Sequence, residues 1–147
     1  LGSMADNGLH SAADFDKQIS TYQREEMKFR NKIAELRSKS KIYASTAHNL
    51  QACRTYKSVW LEYASKPLAQ KDTFYKKNEA ALQTYCRAAS QLDKMGISLG
   101  TEPEKVRQLV TETESRIADL IAELEIVRKT NQAIQEDKEK VEQIQSG

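Results

Sequence analysis

The chain has 147 residues, with 23 Lys or Arg against 21 Asp or Glu and a formal net charge of +2. Charged residues make up 30% of it, only five Gly and two Pro occur, and the mean hydropathy is −0.72. This composition is typical of long exposed helices and argues against a sheet-based domain. No run of about 18 apolar residues and no signal peptide is recognisable, so neither a membrane span nor secretion is predicted, and a cytoplasmic location is expected.

The first residues are set apart from the fold. Leu1, Gly2 and Ser3 resemble an expression scar followed by a start methionine, Met4, and residues 1–12 are expected to be disordered. Residues 13–147 are expected to form a single helical coiled-coil or bundle domain. The fold class is therefore all-α, an elongated helical bundle or coiled coil of three long helices at about 14–65, 69–95 and 102–144.

The first predicted helix carries a seven-residue apolar repeat. The repeat consists of Phe15, Tyr22, Phe29, Leu36, Tyr43 and Leu50. Ile19 and Ile33 lie between these positions, which predicts one narrow coiled-coil stripe.

After Leu50 the apolar spacing changes. Cys53, Tyr56, Trp60 and Tyr63 follow with two successive steps of three, so the stripe rotates around the helix and should face the later helices of a bundle. Residues 38–49 are rich in Ser, Thr and Asn and could break the helix. The seven-residue apolar repeat continues through them, which favours a continuous helix. Proline at position 67 should end this helix.

Two sequence signals mark the ends of the later helices. Gly96 stands where a left-handed C-terminal cap is expected, with Ile97 and Leu99 folding back onto the end of the bundle. At the start of the third helix, Thr101 and Glu104 have the spacing of a capping box. One apolar row of this helix later turns polar, so its last turns are expected to pair weakly or fray.

Short connections predict an up, down, up order in which the third helix runs parallel to the first. The second helix is too short to cover its neighbours, so the first part of helix one and the last part of helix three should overhang at opposite ends. The exposed stripe would then be a self-association site made of Phe15, Ile19, Tyr22, Phe29, Ile33 and Leu36. Either a homodimer forms through it, or it docks on missing parts of a longer parent protein.

Residues with catalytic or metal-binding chemistry are few. His10 and His48 stand alone and no phosphate-binding loop is present, so no catalytic site, metal site or cofactor is predicted. Cys53 and Cys86 are isolated and are interpreted as core thiols. The six tyrosines fall on core-facing stripes, and packing is the favoured role for each of Tyr22, Tyr43, Tyr56, Tyr63, Tyr75 and Tyr85.

Charge is distributed unevenly along the chain. From residue 37 to residue 77 there are nine Lys or Arg against two acids, whereas residues 101–147 hold seven against eleven. With aromatic residues between them, the basic side chains could follow a nucleic-acid backbone; the alternative is a solvated face whose charge is met by the acidic third helix, within or between chains. The candidate nucleic-acid-binding residues are Arg37, Lys39, Lys41, Arg54, Lys57, Lys66, Lys71, Lys76 and Lys77.

Several short motifs occur in a recognisable order. They are Ile33-Ala34-Glu35-Leu36-Arg37, Tyr43-Ala44, Arg54-Thr55-Tyr56 with Trp60 and Tyr63, Lys71 and Phe74 with Glu79, Ala89 to Leu92-Asp93-Lys94-Met95-Gly96, and the entry from Leu99 to Pro103 into a long charged helix. In these residues the chain resembles the C-terminal helical region of relaxases, the mobilisation nucleases of conjugative and mobilisable elements in Gram-positive bacteria. The resemblance covers roughly residues 33–127.

The resemblance implies a non-catalytic helical interaction domain acting in conjugative DNA transfer. The catalytic tyrosine and metal-binding histidines of such a parent would lie in another domain, and none of their motifs is found here, so the chain itself is not expected to be an enzyme. The implied partners are DNA, the coupling protein or another protein of the transfer machinery, or a second copy of the chain. The alternative that the heptads alone permit is a stand-alone coiled-coil scaffold or adaptor with no nucleic-acid role.

Overall fold

The computed structural model describes residues 12–146, which form four α-helices and no strand. They are α1 (Ala12–Ser65), α2 (Leu68–Lys77), α3 (Glu79–Lys94) and α4 (Pro103–Ser146). The all-α prediction is confirmed, but the count of three long helices is not, because the second predicted helix is divided into α2 and α3. The predicted scar and disordered start lie outside the described residues, except for Ala12, which begins α1.

Helix α1 is continuous over 54 residues, which confirms continuity through the Ser-, Thr- and Asn-rich stretch. In the middle of that stretch, Thr46 is buried and its hydroxyl donates to the Met95 sulfur at 3.9 Å. The helix ends at Ser65, and Pro67 adopts the extended backbone, with φ −58° and ψ 147°, that begins α2.

Asn78 divides the second predicted helix. Its backbone leaves the helical region with φ −123° and ψ 24°, and its N–H donates to the carbonyls of Phe74 and Tyr75, each at 3.1 Å. The Asn78 side-chain amide also donates to the Phe74 carbonyl at 3.0 Å, while the Asn78 backbone carbonyl accepts from the Leu82 N–H at 2.9 Å. Asparagine competes for backbone groups in this way, so α2 ends and α3 begins at one residue.

The predicted cap at Gly96 is confirmed. Gly96 has φ +68°, a left-handed conformation that glycine adopts without a side-chain penalty. The Gly96 N–H donates to the Asp93 carbonyl at 3.0 Å and the Ile97 N–H to the Leu92 carbonyl at 2.9 Å, the two bonds of a Schellman motif. Ile97 then packs against the core, as expected.

The predicted capping box at the start of α4 is replaced by contacts with arginines. The Glu104 carboxylate accepts a hydrogen bond from Arg107 at 3.2 Å, one turn further along α4. Glu102 accepts one from Arg54 of α1 at 2.6 Å. A charge-assisted bond to guanidinium is stronger than a neutral one, which favours these partners for the carboxylates.

The chain forms two compact units, which are considered separately. The terminal unit comprises Leu1–Arg37 and Glu114–Gly147, and the central unit comprises Ser38–Thr113. The long helices α1 and α4 therefore each contribute to both units.

In the terminal unit, α1 and α4 lie antiparallel. Ile33 packs with Ile117 and Leu120, whereas Lys138, much later in α4, binds Asp16 near the start of α1. Phe15 and Ile33 are each only 6% exposed. The predicted overhang is therefore wrong, because α4 of the same chain covers these members of the proposed self-association stripe. The remaining members, Ile19, Tyr22, Phe29 and Leu36, are half-buried.

The polar positions near the end of α4 belong to this contact. Asn131 is buried, and Lys138 bonds to Asp16 and lies 3.7 Å from Glu142. Contact between α4 and α1 therefore extends at least as far as Lys138, whereas Ile144 in the last turns is 79% exposed.

In the central unit, the core is formed by α1, α3 and the first turns of α4. Its buried members are Ala47, Leu50, Cys53, Ala88, Leu92 and Val106. Met95, directly after α3, lies beside Thr46, whereas Glu102, directly before α4, lies beside Arg54. The connection between α3 and α4 therefore runs back along α1, from the level of Thr46 to the level of Arg54. Helix α4 then runs in the same direction as α3, so that it is antiparallel to α1. The predicted parallel arrangement is wrong for this reason.

Candidate nucleic-acid interface

Aromatic rings gather in the central unit where α1 meets α2 and α3. Trp60 stacks on Tyr85 with ring centroids 5.2 Å apart and an interplanar angle of 14°. Tyr63 lies 5.7 Å from Trp60, 6.4 Å from Phe74 and 6.1 Å from Tyr75, also between centroids. These are ordinary separations for packed aromatic pairs, so the rings stabilise the helix corner and already contact one another.

Two lysines lie over these rings. The Lys66 ammonium is 5.2 Å from the centre of Phe74, and the Lys71 ammonium is 5.0 Å from the centre of Tyr63. Lys71 also donates to the Ala64 carbonyl at 3.4 Å. Such contacts hold a cationic side chain in place at an exposed site, with an attraction of about 0.5–1 kcal/mol.

We call Lys66, Lys71, Lys76 and Lys77 the basic corner, because they surround the turn from α1 into α2. Two acids lie among them: Glu62 is 3.6 Å from Lys66, and Asp72 is 3.1 Å from Lys76. Both pairs join neighbouring turns and involve exposed groups, so each contributes little to stability. The basic corner therefore keeps more positive than negative charge facing solvent.

Among the other predicted basic residues, Arg54 is bound by Glu102, which directly precedes α4. Lys39 has an interaction partner. Within the described residues, Lys41, Lys57 and Lys77 are exposed and make no ion pair. Eight of the nine predicted residues belong to the central unit, whereas Arg37 belongs to the terminal unit.

One ion pair of this basic surface involves an acid next to α4, because Arg54 binds Glu102. The Lys66 to Glu62 pair and the Lys76 to Asp72 pair each join residues one helical turn apart in the sequence. At Arg54 the structure therefore agrees with the alternative of a charge met by the third predicted helix, whereas these two lysine pairs do not involve that helix.

Next to Arg54, a cleft of about 330 Å³ is lined by α1, α3 and the connection before α4. Cys53 lies at its base, and burial raises the pKa of this thiol. Burial also raises the pKa of the Tyr85 hydroxyl, with smaller contributions from Cys53 and Cys86. Both raised pKa values favour the protonated forms, which are poor nucleophiles.

The remaining chemically active side chains are scattered. Cys53 is a core thiol as predicted, but Cys86 is exposed on α3, so that part of the prediction is wrong. All six tyrosines are half-buried, in agreement with packing roles, and His48 is exposed. His10 lies outside the described residues. Between Ala12 and Ser146, no group of three or more His, Cys, Asp or Glu side chains is placed to hold a metal ion.

A second surface was not identified from the sequence. An apolar groove of about 370 Å³ lies between α1, the end of α3 and the start of α4. Ile42, Met95 and Leu109 line it and are 50%, 46% and 40% exposed. Ile42 and Leu109 lie outside the heptad rows, so only their exposure in the folded chain identifies them.

In the described part of the chain, none of the helices combines the length and apolar character needed to cross a membrane. No family model, curated protein or solved structure matches the chain. The charges and contacts of the central unit therefore remain as the indications of function.

Proposed function

We propose that the chain is a non-catalytic helical interaction domain that binds DNA through the basic surface of its central unit. The observation that carries this proposal is the basic corner at the end of α1, where four lysines face two exposed acids. Lys57 adds a further exposed and unpaired charge on α1, within the residues that the structure describes.

The aromatic contacts favour backbone recognition over base stacking. Trp60, Tyr63 and Phe74 are half-buried and already pack against other rings or against Lys66. Bases would have to displace these contacts in order to stack. Lysines at an exposed corner can instead neutralise phosphates, which gives affinity with little sequence preference.

The resemblance to the C-terminal region of relaxases supplies the context of this proposal. In that context the chain would hold DNA or a protein of the transfer machinery while a different domain of the parent carries out nicking. The proposal supposes that this chain does not cleave DNA. Metal-dependent cleavage of origin DNA by the purified chain would contradict that part.

Fluorescence anisotropy with a labelled duplex of about 30 base pairs tests DNA binding. We expect the affinity to fall as salt rises, with a log–log slope of about −0.9 for each phosphate neutralised. Lys57→Gln, Lys76→Gln and Lys77→Gln combined should weaken binding strongly. The matched control is Lys17→Gln, Lys129→Gln and Lys140→Gln, which removes the same charge from the terminal unit. Absence of binding at about 50 mM salt would overturn the proposal.

A second candidate function is a protein-binding scaffold without a nucleic-acid role, and the apolar groove favours it. Ile42, Met95 and Leu109 expose large side chains around one concave surface. Sedimentation equilibrium at micromolar concentration tests self-association, one form of this function. The scaffold predicts a mass above the 16.7 kDa of one chain. It also predicts a return to monomer in Leu109→Ser.

A further inference from the structure

One face of α2 forms a shallow groove at the basic corner, which we call the α2 groove. Its volume is about 310 Å³, and its lining residues are Lys66, Ala69, Gln70, Thr73, Phe74 and Lys77. From Ala69 onward these residues recur at helical spacing, so their side chains share one side of α2. Asp72 lies on another side of the helix and is paired with Lys76.

The groove presents several hydrogen-bond donors without partners. In the described chain the hydroxyls of Thr84, Thr111 and Thr113 each donate to the carbonyl four residues earlier in their own helix. Thr73 makes no such bond, and neither its hydroxyl nor the Gln70 side-chain amide has a hydrogen-bond partner among residues 12–146. Both groups are exposed and available to a ligand.

The charged side chains of the groove differ in their freedom. Lys66 lies over the Phe74 ring and 3.6 Å from the Glu62 carboxylate, which offsets part of its charge. Lys77 is exposed and makes no ion pair within the described residues. A ligand with negatively charged oxygens would therefore gain most binding energy from Lys77. Lys66, at the other end of the groove, already contacts Phe74 and Glu62.

Two of the lining residues, Ala69 and Phe74, are apolar. Cations and neutral donors beside apolar side chains suit a ligand that alternates anionic oxygens with an apolar ring. The phosphate and deoxyribose groups of a nucleic-acid backbone have this alternation. The seven residue steps from Gln70 to Lys77 span roughly 10 Å of helix, which is about three base-pair steps along the axis of a duplex.

We propose that the α2 groove is a subsite for the sugar–phosphate backbone of nucleic acid. Lys77 neutralises a phosphate, Thr73 and Gln70 donate to phosphate oxygens, and Ala69 and Phe74 contact deoxyribose. This inference rests on the proposed DNA-binding function and deepens it, because it states which of the basic residues are accompanied by neutral donors.

Single substitutions in the full chain test the groove by the same anisotropy measurement. Lys77→Gln should weaken duplex binding about fivefold to tenfold at low salt and reduce the salt slope by about one. Thr73→Val should weaken binding about threefold without changing the slope, because it removes a neutral donor of the same shape. Glu62→Gln should strengthen binding about twofold to threefold, since it removes the carboxylate beside Lys66.

Matched controls separate these effects from general ones. Lys129→Gln removes the same charge from the terminal unit, and Thr84→Val removes a hydroxyl that is already bonded to its own helix. Both should leave the affinity within about twofold. If the wild-type chain binds DNA and Lys77→Gln weakens it no more than Lys129→Gln does, the groove is not the subsite while the proposed function stands. If the wild-type chain does not bind, the proposed function itself fails.

Competition identifies the source of the anionic oxygens. Unlabelled duplex should displace the labelled DNA, whereas inorganic phosphate and poly-glutamate of equal total charge should be at least tenfold weaker. Equal displacement by poly-glutamate would overturn the nucleic-acid inference in favour of an acidic protein partner. Equal displacement by inorganic phosphate would reduce the groove to a simple anion site and would also overturn it.

Discussion

The terminal and central units solve the same packing problem with different side chains. The terminal unit joins two antiparallel helix segments through one apolar row, with Ile33, Ile117 and Leu120 buried together. The central unit adds α2 and α3, so that Leu50, Leu82 and Leu92 are almost completely removed from solvent. A helix with one partner therefore buries a narrow stripe, whereas a helix with several partners needs the rotated stripe that begins after Leu50.

The polar side chains of the two units differ as well. The terminal unit buries Asn131, whose side-chain oxygen has no hydrogen-bond partner in the part of the chain that the structure describes. The central unit places its lysines on the surface over a packed aromatic cluster. We infer that the central unit contributes more of the stability, because its leucines are more completely buried, and the proposed DNA-binding surface lies on this unit.

The largest expected effect comes from the central core. Leu92 is 0% exposed, so Leu92→Ala should lower the free energy of unfolding by about 3–5 kcal/mol through lost burial and the resulting cavity. Ile33→Ala in the terminal unit should lower it by about 2–3 kcal/mol, since two helices can close around the gap more easily than several. Urea unfolding measures both losses. Equal losses would remove the proposed difference between the units.

The next effect concerns the aromatic cluster. Trp60 is half-buried and stacks on Tyr85, so Trp60→Ala should lower the free energy of unfolding by about 2–3 kcal/mol, less than for a fully buried tryptophan. Urea unfolding gives the stability, and DNA binding of the folded variant gives a second readout. A loss below about 1 kcal/mol together with abolished DNA binding would contradict a packing role and indicate base stacking.

The sequence predicted the features that depend on neighbouring residues. Gly96 and the proline at position 67 act through the local backbone. The seven-residue repeat that begins at Phe15 predicted a continuous helix, and α1 is continuous. The direction of α4 and the partner of the Phe15 stripe could not be predicted in this way. Both depend on the path of the connection before α4, which returns beside Arg54, and local spacing contains no information about that path.

The candidate surface was predictable in part for the same reason. The clustering of lysines near residue 70 is visible in the sequence, and eight of the nine predicted residues belong to one unit. Which lysines are paired was not visible, since the distance from Arg54 to Glu102 depends on the fold. Asn78 carried a readable signal, because asparagine within a helix favours caps, although a single helix was predicted over 69–95.

A smaller effect is expected at Asn131 in the terminal unit. A buried acceptor without a partner costs about 1–3 kcal/mol, so Asn131→Leu should raise the free energy of unfolding by about 1–2 kcal/mol. Gln132→Leu, at an exposed position, should change it by less than about 0.5 kcal/mol. Thermal and urea unfolding measure the change. A loss of stability in Asn131→Leu would indicate that the amide is satisfied in solution, and sedimentation would show whether it fixes the number of paired helices.

The smallest expected effect is a loss of stability at alkaline pH, which should begin in the central unit. Burial raises the pKa of the Cys53 thiol and of the Tyr85 hydroxyl, so the folded chain holds both protons more tightly than the unfolded chain does. Their stabilising contribution is complete below the unfolded pKa values, about 8.5 for cysteine and 10 for tyrosine, and is lost as the pH rises through the folded values. Lys138 in the terminal unit has its pKa raised chiefly by the hydrogen bond to Asp16. Its contribution to stability is therefore also lost as the pH rises, but only above the ordinary lysine range.

Melting temperatures at pH 7, about 9.5 and about 11 should therefore fall in two steps. Cys53→Ala should reduce the first step, and Cys86→Ser, at an exposed position, should not. A first step that is unchanged in Cys53→Ala but lost in Lys138→Met would assign the alkaline transition to the terminal unit and contradict the comparison.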